Sequence, residues 1–142
     1  MEIIEAKNEK VLADGYKVRF EVFVDEQQVP KDLEIDEWEE AATHFVGYRN
    51  NQPIAASRMR FVDQYAKMER ICVVKAHRNQ GLGKELLLFM EDVAKKQQYT
   101  KAKLNGQIQA VDFYQHLGYH IVSDEFLDAG IPHVTMVKQL LD

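Results

Sequence analysis

The segment from Lys67 to Lys96 holds the densest arrangement of residues able to do chemistry. It opens with Met68, Ile71, Val73 and Val74, an apolar run interrupted by Glu69 and Arg70, which predicts a strand. It closes with Leu86, Phe89, Met90 and Val93 at i, i+3, i+4 and i+7, which predicts a helix. Between them lies Arg78-Asn79-Gln80-Gly81-Leu82-Gly83. A helix start leaves its first N–H groups without partners. Glycines let a ligand approach that backbone, and the helix dipole favours negative charge there by roughly 0.3–1 kcal/mol. Arg78 adds a cation at the entrance. Such a turn suits a phosphate or pyrophosphate. The spacing excludes a Walker A loop, because Glu85 follows Gly83-Lys84 and no hydroxyl is placed for magnesium. It also departs from the dinucleotide fingerprint, which needs a third Gly or Ala where Leu86 stands.

The elements that must position this turn follow from pattern. Glu2 to Ala6 predicts a short edge strand, and Asn8 caps a helix over Lys10–Val24 with Val11, Gly15, Val18 and Val22 on one face. Asp25 to Glu40 is an acidic loop with some helix. Thr43–Tyr48 and Ile54–Val62 form a hairpin around Asn50-Asn51 and Pro53. After the central strand and helix come a strand at Ala102–Asn105 and a helix at Ala110–Leu117 closed by Gly118. Two last strands lie at Tyr119–Val122 and His133–Val137. The order β-α-β-β-β-α-β-α-β-β implies an α+β, or three-layer α/β, architecture around a mixed sheet.

Composition sets the outer limits. A chain of 142 residues is expected to form one domain, residues 1–142, burying about two-thirds of its unfolded surface. Net charge of −5 argues against nucleic acid as a partner, since phosphate backbones demand a basic face. No apolar run reaches the ~18 residues of a membrane span. The single cysteine, Cys72, excludes an internal disulfide, and the start MEIIEAKNEK lacks the basic and apolar regions of a secretory signal. The expectation is a cytoplasmic protein. The histidines show no metal-ligand spacing, so no metal is expected.

Arg78-x-x-Gly81-x-Gly83, following a strand and opening a helix, resembles the coenzyme A pyrophosphate loop of the GCN5-related N-acetyltransferases, the GNAT superfamily. A second stretch, Gln107-Ile108-Gln109-Ala110-Val111-Asp112-Phe113-Tyr114 with Gly118-Tyr119 beyond it, resembles that family's next motif in order and spacing. The resemblance covers about Thr43 to Lys138. RFEVFVDEQQVP and GIPH look like a bacterial subfamily of small members. It implies a mostly antiparallel sheet with helices on both faces, and acetyl-CoA as cosubstrate. The implied contacts run over Cys72, Val73, Val74, Arg78, Asn79, Gln80, Gly81, Leu82, Gly83, Lys84, Gln107 and Tyr114. Two departures stand out: Gln107 replaces the usual Asn, and Asn79 a common Gly. The implied reaction is direct attack of an amine on the thioester, in small-molecule or peptide acceptors, by a monomer or homodimer. A non-catalytic acyl-CoA binding or sensing module is the alternative.

Amine acetylation needs a neutral nucleophile, a donor for the carbonyl oxygen and a proton for the leaving thiolate. In the family a bulge in the central strand frees an N–H, here within Cys72–Val74. Tyr114 matches the residue beside the sulfur and is the expected general acid. Glu69 is the candidate base, with pairing to Arg58, Arg60 or Arg70 as the competing role; strict alternation puts it on one face with Ile71 and Val73. Glu26, Glu34, Asp36 and His133 are further candidates at the acceptor side. The acids of Asp25–Glu40 form either a solvated surface or a field that draws in a cationic amine.

Overall fold

A computed structural model describes all 142 residues. Eight strands form one sheet: β1 (Glu2–Glu5), β2 (Thr43–Arg49), β3 (Gln52–Val62), β4 (Tyr65–Val73), β5 (Lys101–Gln107), β6 (His120–Ile121), β7 (Phe126–Asp128) and β8 (Ile131–Gln139). Their spatial order is β1-β2-β3-β4-β5-β8-β6, with β7 also on β8. Only β4 and β5 run parallel; every other pairing is antiparallel. Helices α1 (Glu9–Arg19), α2 (Lys31–Glu34), α3 (Leu82–Lys96) and α4 (Val111–His116) flank it. The mixed, mostly antiparallel architecture is the expected one.

Two clusters on opposite faces hold the layers together. On one face Leu86, Leu87, Met90 and Ala94 of α3 pack on Phe45, Met59, Met68 and Leu104. On the other, Val18 and Val22 meet Ile54, Ala56, Cys72 and Val74. Burying a Leu or Val side chain contributes about 1.5–3 kcal/mol, so these stripes fix which way each strand faces. Asn8 caps α1 as predicted, its side chain accepting from the Val11 N–H at 2.9 Å. Gly15 is explained by approach: a Cβ there would lie 3.1 Å from the Val46 side chain.

The predicted helix over Lys10–Val24 needs correction. The α-helix ends at Arg19 and continues as a π-helical segment, Phe20–Glu26. The wider turn, marked by the Gln27 N–H donating to the Val22 carbonyl, keeps Val22 in the core. It also brings Glu26 and Gln27 over the sheet. A second correction concerns the last strands: β6 is only two residues long, and β7 joins β8 through Ala129 and Gly130, both at positive φ.

The central strand carries the correction that matters most. Arg58 pairs with Glu69 and Ala56 with Cys72, so Arg70 and Ile71 together face Ser57. This is a β-bulge, and Arg70 adopts a φ of +57° within it. The extra residue reverses the alternation. Glu69 therefore shares a face with Cys72, while Met68, Ile71 and Val73 pack toward α3.

Candidate active site

β4 and β5 pair only from Tyr65–Met68 to Lys101–Leu104, although both continue well past that point. Beyond it they part. The gap forms the heart of a cleft of about 1140 Å³ that runs from Trp38 and Lys67 at one end to Arg78, Tyr114 and His133 at the other.

At the α3 end of the gap, six consecutive backbone N–H groups have no protein acceptor: Asn79, Gln80, Gly81, Leu82, Gly83 and Lys84. The first helical bond is made only by Glu85, to the Gly81 carbonyl. Gly81 takes φ +76° and ψ 13°, a left-handed conformation, and a Cβ built there would meet nothing within 4 Å. Asn79 also has a positive φ, +63°. That is why glycine is common there and why Asn, which tolerates this region, serves instead. Gln80 is held from outside, its side-chain oxygen accepting from Arg49 at 2.5 Å.

The two cationic and amide groups expected to face the ligand are engaged internally. Arg78 donates both terminal nitrogens to Glu26, each at 2.6 Å, and its Nε to the Val73 carbonyl at 2.9 Å. The ion pair pulls the Glu26 carboxyl below its ordinary range. Gln107 donates to Gln27 at 2.9 Å. Glu26, expected at the acceptor side, instead clasps Arg78.

Within Cys72–Val74 the structure distinguishes the three N–H groups. Val74 donates to the Ile54 carbonyl at 2.9 Å, so it faces β3. Alternation turns Val73 the other way, as its carbonyl on Arg78 confirms. The Val73 N–H therefore opens into the gap, and the bulge that creates the irregularity lies upstream at Arg70–Ile71. The Cys72 thiol packs in the core near the Ala56 carbonyl, and burial pushes it up to about 12, which makes it inert.

Tyr114 stands on α4 with its ring against Gly106 of β5, where any Cβ would come within 3.1 Å. Phe113 and Tyr119 meet it edge-on. Its hydroxyl makes no hydrogen bond to the protein and borders the cleft. Burial raises it to about 12, so it remains a protonated donor at ordinary pH. Tyr119, by contrast, is structural: it donates to Glu91 at 2.8 Å, and Lys138 donates to the other oxygen at 2.8 Å.

On the opposite face a dense ion network takes up Glu34, Asp36 and Glu39, while Asp25, Asp32, Glu37 and Glu40 are the solvated acids expected of Asp25–Glu40. Buried Arg19 donates to Glu34 at 2.7 Å and to both oxygens of Glu39. Buried Arg58 grips Asp36 through two bonds of 2.7 and 2.8 Å and reaches Glu69 at 3.0 Å. Arg70 lies 3.2 Å from Glu34 and 3.3 Å from Asp36. Glu34 is only 2 % exposed. Arginines thus neutralise Glu26, Glu34, Asp36 and Glu39, and the negative field expected of the segment is reduced to exposed Asp25, Asp32, Glu37 and Glu40. Glu69 also accepts from Arg60 at 2.8 Å and lies 3.3 Å from Lys67. Despite its burial, Arg60 and its other cations hold its carboxyl below the usual range, which weakens it as a base. The arginines themselves gave little warning, since nothing in their spacing announces a shared network. His133 lines the cleft, its Nδ1 donating to the Ile131 carbonyl at 2.6 Å, which leaves Nε2 as an acceptor.

A profile of the acetyltransferase (GNAT) domain matches residues 4–140. The chain is 48% identical to the uncharacterised N-acetyltransferase YjcF of Bacillus subtilis over 139 residues, covering 97% of this chain and 99% of that protein. A Lactobacillus plantarum protein assigned as an N-acetyltransferase superposes with a TM-score of 0.92 at 31% identity, over 99% of this chain and 98% of its own. A GNAT acetyltransferase of Elizabethkingia anophelis, solved with acetyl-CoA bound, shares the fold with a TM-score of 0.76 at 15% identity, over 97% of each chain. The chain belongs to the GNAT acetyltransferase family and is an acyltransferase.

Proposed function

We propose that this chain transfers an acetyl group from acetyl-CoA to a primary amine by direct attack within a ternary complex. One observation carries the reading: six unpaired N–H groups, Asn79 to Lys84, at the mouth of the β4–β5 gap. Those donors and the N-terminus of α3 fit a pyrophosphate, and the gap fits the thioester arm. The Elizabethkingia neighbour, which binds acetyl-CoA, supports the same assignment.

In this reading each remaining group has a task. The Val73 N–H stabilises the charge that develops on the carbonyl oxygen. The Tyr114 hydroxyl protonates the departing sulfur. Water entering from the open face takes the amine proton, while Glu69 keeps Arg58 and Arg60 in place. The acceptor enters from the end lined by Trp38, Arg60 and Lys67.

Thiol release from acetyl-CoA with an amine panel tests the reaction. Calorimetry with CoA, ATP and NAD, with and without magnesium, tests the loop. The expected outcome is amine-dependent thiol release and metal-independent CoA binding. Tight magnesium-dependent ATP binding, or CoA binding without release for any amine, would remove the reading.

A further inference from the structure

One titratable side chain on the cleft has no task in the proposed reaction. His133 sits on β8, and its neighbours fix its ring. Nδ1 faces the Ile131 carbonyl at 2.6 Å. A carbonyl can only accept, so the proton of the neutral ring lies on Nδ1 and the lone pair on Nε2. The Phe126 ring of β7 stacks on the imidazole at 6.0 Å, with 22° between the planes. His133 is only 8 % exposed and lines the cleft. Its Nε2 meets no protein partner, yet it is not shut off from solvent. An imidazole held by one nitrogen and open at the other is arranged for proton transfer.

The strand register places this lone pair with respect to Tyr114. Gly106 of β5 pairs with Val134 of β8, and Gln107 with His133. The Tyr114 ring rests on Gly106, from the face covered by α3 and α4. Neighbouring residues of a strand point to opposite faces, so Gln107 and its partner His133 project to the other one. Gln107 confirms this by donating to Gln27 of the π-helical segment at 2.9 Å. Tyr114 and His133 therefore stand at the same level of the gap, one on each face of the sheet. The other bases on the cleft are engaged or solvated. Glu34, Asp36 and Glu69 are held by arginines, and His77 Nδ1 lies 3.4 Å from the Arg49 guanidinium. Lys67 and Lys84 are cations, and Asp128 is exposed at the end of β7.

We infer that His133 is the base of the reaction: its Nε2 receives the proton of the acceptor amine, through the water that enters from the open face. This rests on the acetyl-transfer reading and completes it. The amine arrives as an ammonium, and His133 takes one of its protons and becomes an imidazolium. The neutral nitrogen then bonds to the thioester carbon, and the carbonyl electron pair moves onto oxygen. As that pair returns, the C–S bond breaks and the sulfur takes the Tyr114 proton. The Tyr114 phenolate recovers a proton from the new amide nitrogen by way of water. The imidazolium gives its proton to solvent. Ammonium and thioester have then become amide, thiol and one released proton, so atoms and charge balance.

The test uses two pairs of acceptors: benzylamine with O-benzylhydroxylamine, and ethylamine with 2,2,2-trifluoroethylamine. At about pH 7.5 the first of each pair is protonated and must lose a proton before it attacks, whereas the second is already neutral. His133→Gln should lower kcat/KM about 100-fold for the protonated amines and less than about threefold for the neutral ones. Free imidazole should restore the rate of His133→Ala with the protonated amines. Nitrogen-resolved NMR of the unaltered protein should find the neutral His133 ring protonated on Nδ1. Equal losses within each pair, no rescue by imidazole, or a neutral ring protonated on Nε2 would each overturn the inference. The spectrum needs no substitution, so a variant that folds poorly does not shelter it. Thiol release with no selective dependence on His133 removes the base alone. No thiol release from the unaltered protein with any of the four amines removes the acetyl-transfer reading, and the base with it.

Discussion

Tyr114 and Glu69 show how differently two candidate residues fare once their surroundings are known. Tyr114 keeps a free hydroxyl, and burial raises it to about 12, so it holds its proton across the range where amines react. Tyr114→Phe should lower kcat by roughly 10²–10⁴-fold and leave the KM for acetyl-CoA little changed. Steady-state kinetics with thiol detection reads both numbers, and an unaltered kcat in a destabilised protein would reduce Tyr114 to packing. The pH–rate profile should show no alkaline fall below about pH 11 from this group. Glu69 is held by Arg60, Arg58 and Lys67, so Glu69→Gln should raise the acceptor KM more than it lowers kcat. The place of Tyr114 on the cleft wall was legible because its motif and spacing are specific. The face of Glu69 was not, because a bulge at Arg70–Ile71 decides which residues it shares that face with, and no alternation pattern records a bulge.

At the level of elements, the π-helical segment Phe20–Glu26 does more than end α1. It places Glu26 on Arg78 and Gln27 on Gln107, bridging both walls of the gap where the thioester arm is proposed to lie. The Glu26–Arg78 pair is about one-third exposed on each side, so it contributes little to stability. In the proposed reading its effect falls on the loop instead, because a carboxylate there would compete with a phosphate for the same guanidinium. Glu26→Gln should therefore strengthen CoA binding several-fold in calorimetry and leave the melting temperature nearly unchanged. Weaker binding would show that Glu26 orders Arg78 for the ligand instead of competing with it. The sequence predicted this helix to Val24 as an ordinary α-helix, since Val11, Gly15, Val18 and Val22 satisfy the α period. The wider turn leaves no mark on that pattern. Strand order, by contrast, was legible through β5, where turn residues and apolar runs coincide. It blurred at β6 and β7, which are two and three residues long.

For the whole molecule, the ion network is what fastens the loop Ile35–Ala42 to the sheet. Asp36 is lowered to about 2, and Glu39 and Glu69 are also lowered, in each case by arginines that outweigh burial. A carboxylate with a depressed folded pKa adds stability that is complete above its unfolded value, near 4, and is lost as pH falls through the folded one. Glu34 runs the other way, since its burial outweighs its arginines, and it offsets part of the loss. Melting temperature should hold nearly level from pH 7 to about pH 5 and then fall steeply toward pH 2. A scan by circular dichroism checks this. A flat profile down to pH 3 would mean the network adds nothing net to folding. Arg19→Met should blunt the same transition, because it removes the partner shared by Glu34 and Glu39.

Trp38 turns that loop into something that can be watched. It is the only tryptophan in the chain, and it sits half-exposed against the Arg60 guanidinium instead of in either apolar cluster. Its emission therefore reports first on one loop at the mouth of the cleft, where the ring rests on Arg60 of β3. Unfolding followed by tryptophan light and by backbone ellipticity should then give two different curves, with the optical signal moving first in acid. A ligand that takes up Arg60 should shift the emission before any acetyl group has moved.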